Sequence, residues 1–166
     1  MRSQLKIAAL LGVATSLFSA GAMAAQLAEH KALTLEVAKQ MAAAAEAEAM
    51  KNKWTVAIAV VDEGGHLVLL EKIDDTQYGS IDVAIRKAQT SIAFKRPTKV
   101  MEDAIAGGRN AILSLTAAGA LPLEGGIPIT LDGRIIGAIG VSGVTSQQDA
   151  QVAKAGVDSL AGILGK

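Results

Sequence analysis

Near the middle of the chain stand four residues whose types and spacing suit the holding of an anion. Lys95 and Arg96 precede Pro97 and Thr98, and Arg109 follows Gly107 and Gly108. A helix starting near Thr98 brings free backbone N–H groups alongside these cations, a combination that holds carboxylates or phosphates. The competing reading leaves the cations on solvated faces or paired with Glu102, Asp103 or Glu124. His30 and His66 are the only imidazoles, and the neutral ring nitrogen of either can ligate iron. Read blandly, His66 is a solvated residue after a Gly-Gly turn, and His30 belongs to an irregular terminus.

Nucleophilic and acid–base chemistry is less well provided for. Gly140-Val141-Ser142-Gly143-Val144 nearly spells the G-x-S-x-G nucleophile elbow, but Val144 stands where the last glycine belongs. Asp62 and Glu63 are neighbours, so on a strand they point to opposite faces and make a poor acid–base pair. Gly64-Gly65 and Gly125-Gly126 lack the lysine and spacing of a phosphate-binding loop. Two histidines and scattered carboxylates fall short of a zinc site. No catalytic residue is assigned, and the balance favours a binding protein over an enzyme.

These residues must be positioned by alternating helices and strands. Thr34 to about Met50 carries Glu36, Lys39, Gln40 and Glu46 on one helical face, with Ala38, Met41, Ala45 and Ala49 opposite. Trp54–Val61 and His66–Ile73 read as strands joined by the turn Asp62-Glu63-Gly64-Gly65. Ser80 is expected to cap a second helix with Ile81, Ala84, Ile85, Ala88 and Ile92 on its apolar face, broken before Pro97. A short helix from Thr98 to about Ala106 follows, and Asn110–Thr116 is read as a short strand. A second hairpin turns at Asp132-Gly133, a dipeptide that tolerates the positive φ of a two-residue turn. In its second strand Gly137 and Gly140 leave room for another backbone or a flat ligand. Ser146 with Asp149 three residues on gives a capping-box pattern for the last helix.

The amino terminus reads as a targeting segment. Arg2 and Lys6 precede the apolar stretch from Ile7 to Phe18, and Ala22-Met23-Ala24 supplies an A-x-A cleavage site. The expectation is a signal peptide over residues 1–24 and one domain over 25–166, periplasmic or secreted. Without Arg2 and Lys6, 14 basic residues face 16 acidic ones, which makes nucleic acid and anionic membranes poor partners. The chain has no cysteine, hence no disulfide and no thiolate metal site.

Val60-Val61-Asp62-Glu63-Gly64-Gly65-His66-Leu67, Lys87-Ala88, Arg96-Pro97-Thr98, Gly126-Ile127-Pro128-Ile129 and Ile136 through Gly143 occur in an order that resembles the GlcG/HbpS family. That family also includes the carboxy-terminal domain of PduO-type proteins. The resemblance implies an α/β fold of α+β type, profilin-like, with a five-stranded antiparallel sheet flanked by helices on both faces, and symmetric homo-oligomers. It also implies that exported members include haem-binding proteins. On that footing Lys95, Arg96, Thr98 and Arg109 are candidates to hold haem propionates or another carboxylate ligand, and His66 and His30 are candidate haem ligands. Some haem-binding relatives carry their ligand in the first helix, which here offers alanine and methionine in place of histidine. Met41 and Met50 remain weak candidates, since methionine on a helical face is more often core. The alternative is an enzyme or accessory subunit that holds a small organic acid with Lys95, Arg96 or Arg109.

Overall fold

The structure, a computed structural model, describes residues 25–166. The expected signal peptide, residues 1–24, lies outside the described residues. Residues 25–30 have no regular secondary structure, and the folded unit begins at Lys31. Its elements are α1 (Leu35–Lys51), β1 (Ala57–Asp62), β2 (Leu67–Lys72), α2 (Gly79–Phe94), α3 (Lys99–Ala106), a 3₁₀ helix (Asn110–Ala118), β3 (Gly126–Leu131), β4 (Arg134–Ser142), α4 (Ser146–Asp158) and α5 (Leu160–Ile163).

Both hairpins form where alternation and turn chemistry place them. Asp62 Oδ1 accepts N–H bonds from Gly64 and His66, both 2.9 Å long, so one carboxylate organises the whole β1–β2 turn. At the second hairpin Asp132 (φ 50) and Gly133 (φ 78) both adopt the left-handed conformation that matches the twist of the flanking strands. The hairpins join through β1 and β4 into an antiparallel sheet of order β2-β1-β4-β3.

The central strands are buried on both sides. Val56, Ile58, Val60, Ile139 and Val141 pack with α1 and α4 in the main core, whereas Ala57, Ala59, Val61 and Ala138 meet α2. Small residues on the α2 side bring that helix unusually close. A Cβ at Gly140 would lie 2.1 Å from the carbonyl oxygen of Ala84, so the space expected beside this glycine is filled by helix backbone, not by a ligand. On the opposite face α1 buries Ala38, Ala42, Ala45 and Ala49 around Met41, and α4 crosses it at Gly156.

Three local expectations are corrected. The sheet has four strands among the described residues, not five, because Asn110–Thr116 is part of a 3₁₀ helix. There Ser114 and Thr116 donate hydroxyl bonds to the carbonyls three residues earlier, Ala111 and Leu113, a closure that extended backbone forbids. Helix α4 is capped by Thr145 with Gln148 in a reciprocal capping box, one residue before the expected Ser146. Ser80 does not cap α2, which starts a residue earlier without a side-chain cap. Ser80 instead accepts from Gln77 and lies 3.4 Å from the Ser142 hydroxyl. Ser142 is thereby buried beneath α2, away from any exposed nucleophile position.

At the hairpin tip Asp132 pairs with Lys31 at 3.1 Å and with Lys166 at 3.0 Å.

Candidate ligand-binding site

Helix α2 ends in a way that aims Arg96. Lys95 takes the left-handed conformation (φ 53), its N–H reaching Ile92 O, while the N–H of Arg96 returns to Ser91 O at 3.1 Å. This is a Schellman-type ending, with lysine where glycine is usual and Pro97 preventing further helix. Ser91 Oγ donates to the Arg96 carbonyl, and Arg96 Nε donates to Phe94 O at 2.9 Å. The exposed guanidinium is thereby tied by one hydrogen bond to the helix end.

Helix α3 then turns the chain, and Gly108 (φ 90) delivers Arg109 to the start of the 3₁₀ helix. Arg96 and Arg109, thirteen residues apart by number, line one cavity of about 210 Å³ together with Phe94, Val100, Met101, Ile112 and Leu115. No residue of the 3₁₀ helix is buried, although Ile112, Leu113 and Leu115 give it an apolar character. Two guanidiniums at the mouth of an apolar cleft can pair with carboxylates while the cleft takes an apolar body.

The other expected residues fall elsewhere. Lys95 is exposed and does not line the cavity. Thr98 is buried, its N–H given to Gly126 O and its hydroxyl accepting the Gly126 N–H, both at 3.0 Å, so it joins α3 to β3 and does not face the cleft. His66 is 83% exposed on the β1–β2 turn with Nδ1 3.3 Å from Asp62 Oδ1, outside the cavity lining. Its backbone N–H is the first cause holding the Asp62 carboxyl below its ordinary 3.8, followed in the same direction by the N–H of Gly64 and the imidazole charge. His30 lies in the irregular exposed segment before the folded unit.

One polar pair escaped the sequence reading. Lys87 and Asp149, each 2% exposed, form an ion pair beneath the Gly125-Gly126 turn, where Lys87 Nζ also donates to Val141 O at 3.0 Å. Asp149 also accepts from Val144 N–H; burial pushes its carboxyl above the ordinary value against the opposing pull of Lys87. The signal was present: Lys87 sits three residues after Ala84 and four before Ser91, on the stripe α2 buries. An ionisable residue on such a stripe requires a partner.

The sequence matches, over residues 33–158, the family described as "Haem degrading protein HbpS-like". It is 46% identical over 110 residues to Protein GlcG of Escherichia coli strain K12, spanning 66% of this chain and 81% of that relative. A double mutant of Streptomyces reticuli HbpS is similar in fold with a TM-score of 0.73 and 34% identity, covering 86% of this chain and 98% of that one. PduOC, solved as a haem complex, is similar with a TM-score of 0.72 and 26% identity, covering 78% of this chain and 95% of that one. The motifs around both hairpins, the α2 ending and the Gly125-Gly126 turn thus have one explanation: the chain belongs to the GlcG/HbpS family.

Proposed function

We propose that this protein binds haem or a closely related tetrapyrrole, with Arg96 and Arg109 holding the propionates. The observation that carries the reading is the convergence of both guanidiniums on one cleft lined by Phe94, Val100, Ile112 and Leu115. The haem complex of PduOC and the family description support it. At about 210 Å³ the cleft is smaller than the roughly 300–1000 Å³ of small-ligand sites, so it takes one edge of the macrocycle. The exposed apolar residues of the 3₁₀ helix continue the surface, and a second copy of the chain covers the remaining face.

His66 is the better of the two imidazole candidates. Asp62 beside Nδ1 leaves Nε2 as the metal-binding nitrogen, an arrangement that orients and strengthens histidine ligands. Because His66 lies outside the cleft lining, its contact with iron comes from a neighbouring copy. The exported location expected from the amino-terminal segment belongs to the same proposal.

Titration of haemin into the mature protein tests the reading. A shifted Soret band at micromolar haem is expected, and Arg96→Ala and Arg109→Ala each weaken binding about tenfold, as losing one charge-assisted hydrogen bond does. An unshifted Soret band would remove the proposal. His66→Ala and His30→Ala then assign the axial ligand by the loss of the ligated spectrum.

A further inference from the structure

A second cavity, of about 360 Å³, opens where the start of β3 faces α4. Gly125, Gly126, Ile127, Pro97 and Ala150 form its floor and apolar walls. The floor is bare backbone for a physical reason. A Cβ on Gly125 would lie 2.8 Å from Lys87 Nζ, and one on Gly126 would lie 2.3 Å from the Lys87 carbonyl oxygen. Its volume lies at the lower end of the roughly 300–1000 Å³ of small-ligand sites, room for a small molecule to be enclosed whole.

Three charged groups surround this floor and differ in how firmly they are held. Lys99 pairs with Asp103 at 2.8 Å, and Lys154 with Asp158 at 2.7 Å, all four side chains being half exposed or more. Such exposed pairs contribute only about 0–1 kcal/mol, so either ammonium can release its aspartate for a bound anion at little cost. Glu124 is different. Its side chain is only 10% exposed, its nearest cation is Lys99 at 3.6 Å, beyond hydrogen-bond length, and its own N–H is tied to the Glu102 carboxylate. Its carboxylate is a largely buried acceptor in a wall that otherwise carries the two exposed cations and the amides of Gln147 and Gln151.

We infer that this cavity binds a small carboxylic acid bearing a hydroxyl or ammonium donor. The carboxylate lies on Lys99 and Lys154, and the donor on Glu124. The site is separate from the arginine cleft and does not depend on haem binding, since Arg96 and Arg109 are absent from its lining.

Amide chemical shifts of the mature protein titrated with lactate, serine and acetate test the assignment. Lactate or serine is expected to shift Gly125, Gly126, Gln147 and Gln151 saturably, with a Kd of about 1 mM or tighter, and acetate to bind at least about tenfold more weakly. Lys154→Met, on an exposed position that does not threaten folding, is expected to weaken the preferred acid about tenfold. Glu124→Gln is expected to remove the preference over acetate, while Arg96→Ala leaves all three titrations unchanged. No saturable shift with any acid would overturn the proposal. So would equal binding of acetate and lactate by the unaltered protein, or shifts centred on Arg96 and Arg109.

Discussion

Lys87 Nζ lies 2.7 Å from Asp149 Oδ2, joining the middle of α2 to the first turn of α4 through a region closed to water. Removing one member leaves a buried charge without its counter-ion, which typically costs about 3–5 kcal/mol. Lys87→Met and Asp149→Leu are each expected to lower stability by about that amount in urea unfolding, and the double variant to recover much of the loss. A double variant as unstable as the sum would show that the two side chains act independently.

Gly140 faces the backbone of α2 with no room for a methyl group. Gly140→Ala must push the helix off the sheet, at a cost of about 1–3 kcal/mol or more. A lowered thermal midpoint is expected, with Gly162→Ala as a neutral control because a Cβ there meets nothing within 4 Å. Equal midpoints for the two variants would contradict the close approach.

The Asp62 carboxyl is held below its ordinary 3.8, first by the backbone N–H of His66. A carboxylate depressed in the folded state stabilises above its unfolded value, and the contribution disappears as pH falls through the folded value. Asp62→Asn is therefore expected to flatten stability below about pH 4 while costing stability at neutral pH. His66→Ala keeps the backbone donor, so carboxyl NMR should still find Asp62 depressed. Its return to the ordinary value in that variant would transfer the cause to the imidazole.

The proposed export is read from the mature amino terminus. Expression of the full chain in a Gram-negative host is expected to give a periplasmic or secreted protein beginning at Ala25. A cytoplasmic product beginning at Met1 would reject cleavage.

The hairpins were legible because strand alternation and the Asp62 and Asp132-Gly133 turns are local signals. The 3₁₀ helix was not: Asn110–Ala118 has an apolar composition without a two-residue or helical period, and its shape depends on hydroxyl-to-carbonyl bonds over three residues. Arg96 and Arg109 could be singled out by type, but their meeting across one cleft depends on the angle between α2 and α3. Thr98 was misplaced for a related reason, since its partner Gly126 lies 28 residues away. Asp149 read as a cap because its position near a helix start permits that role, while its actual partner is 62 residues distant.

The two lysines held by Asp132 lie at the first and last residues of the folded unit. Residues 31 and 166, 135 positions apart by number, are therefore held at one hairpin tip, so that a few linking residues suffice to join them into a ring, which the exposed Gly107-Gly108 loop offers a place to reopen.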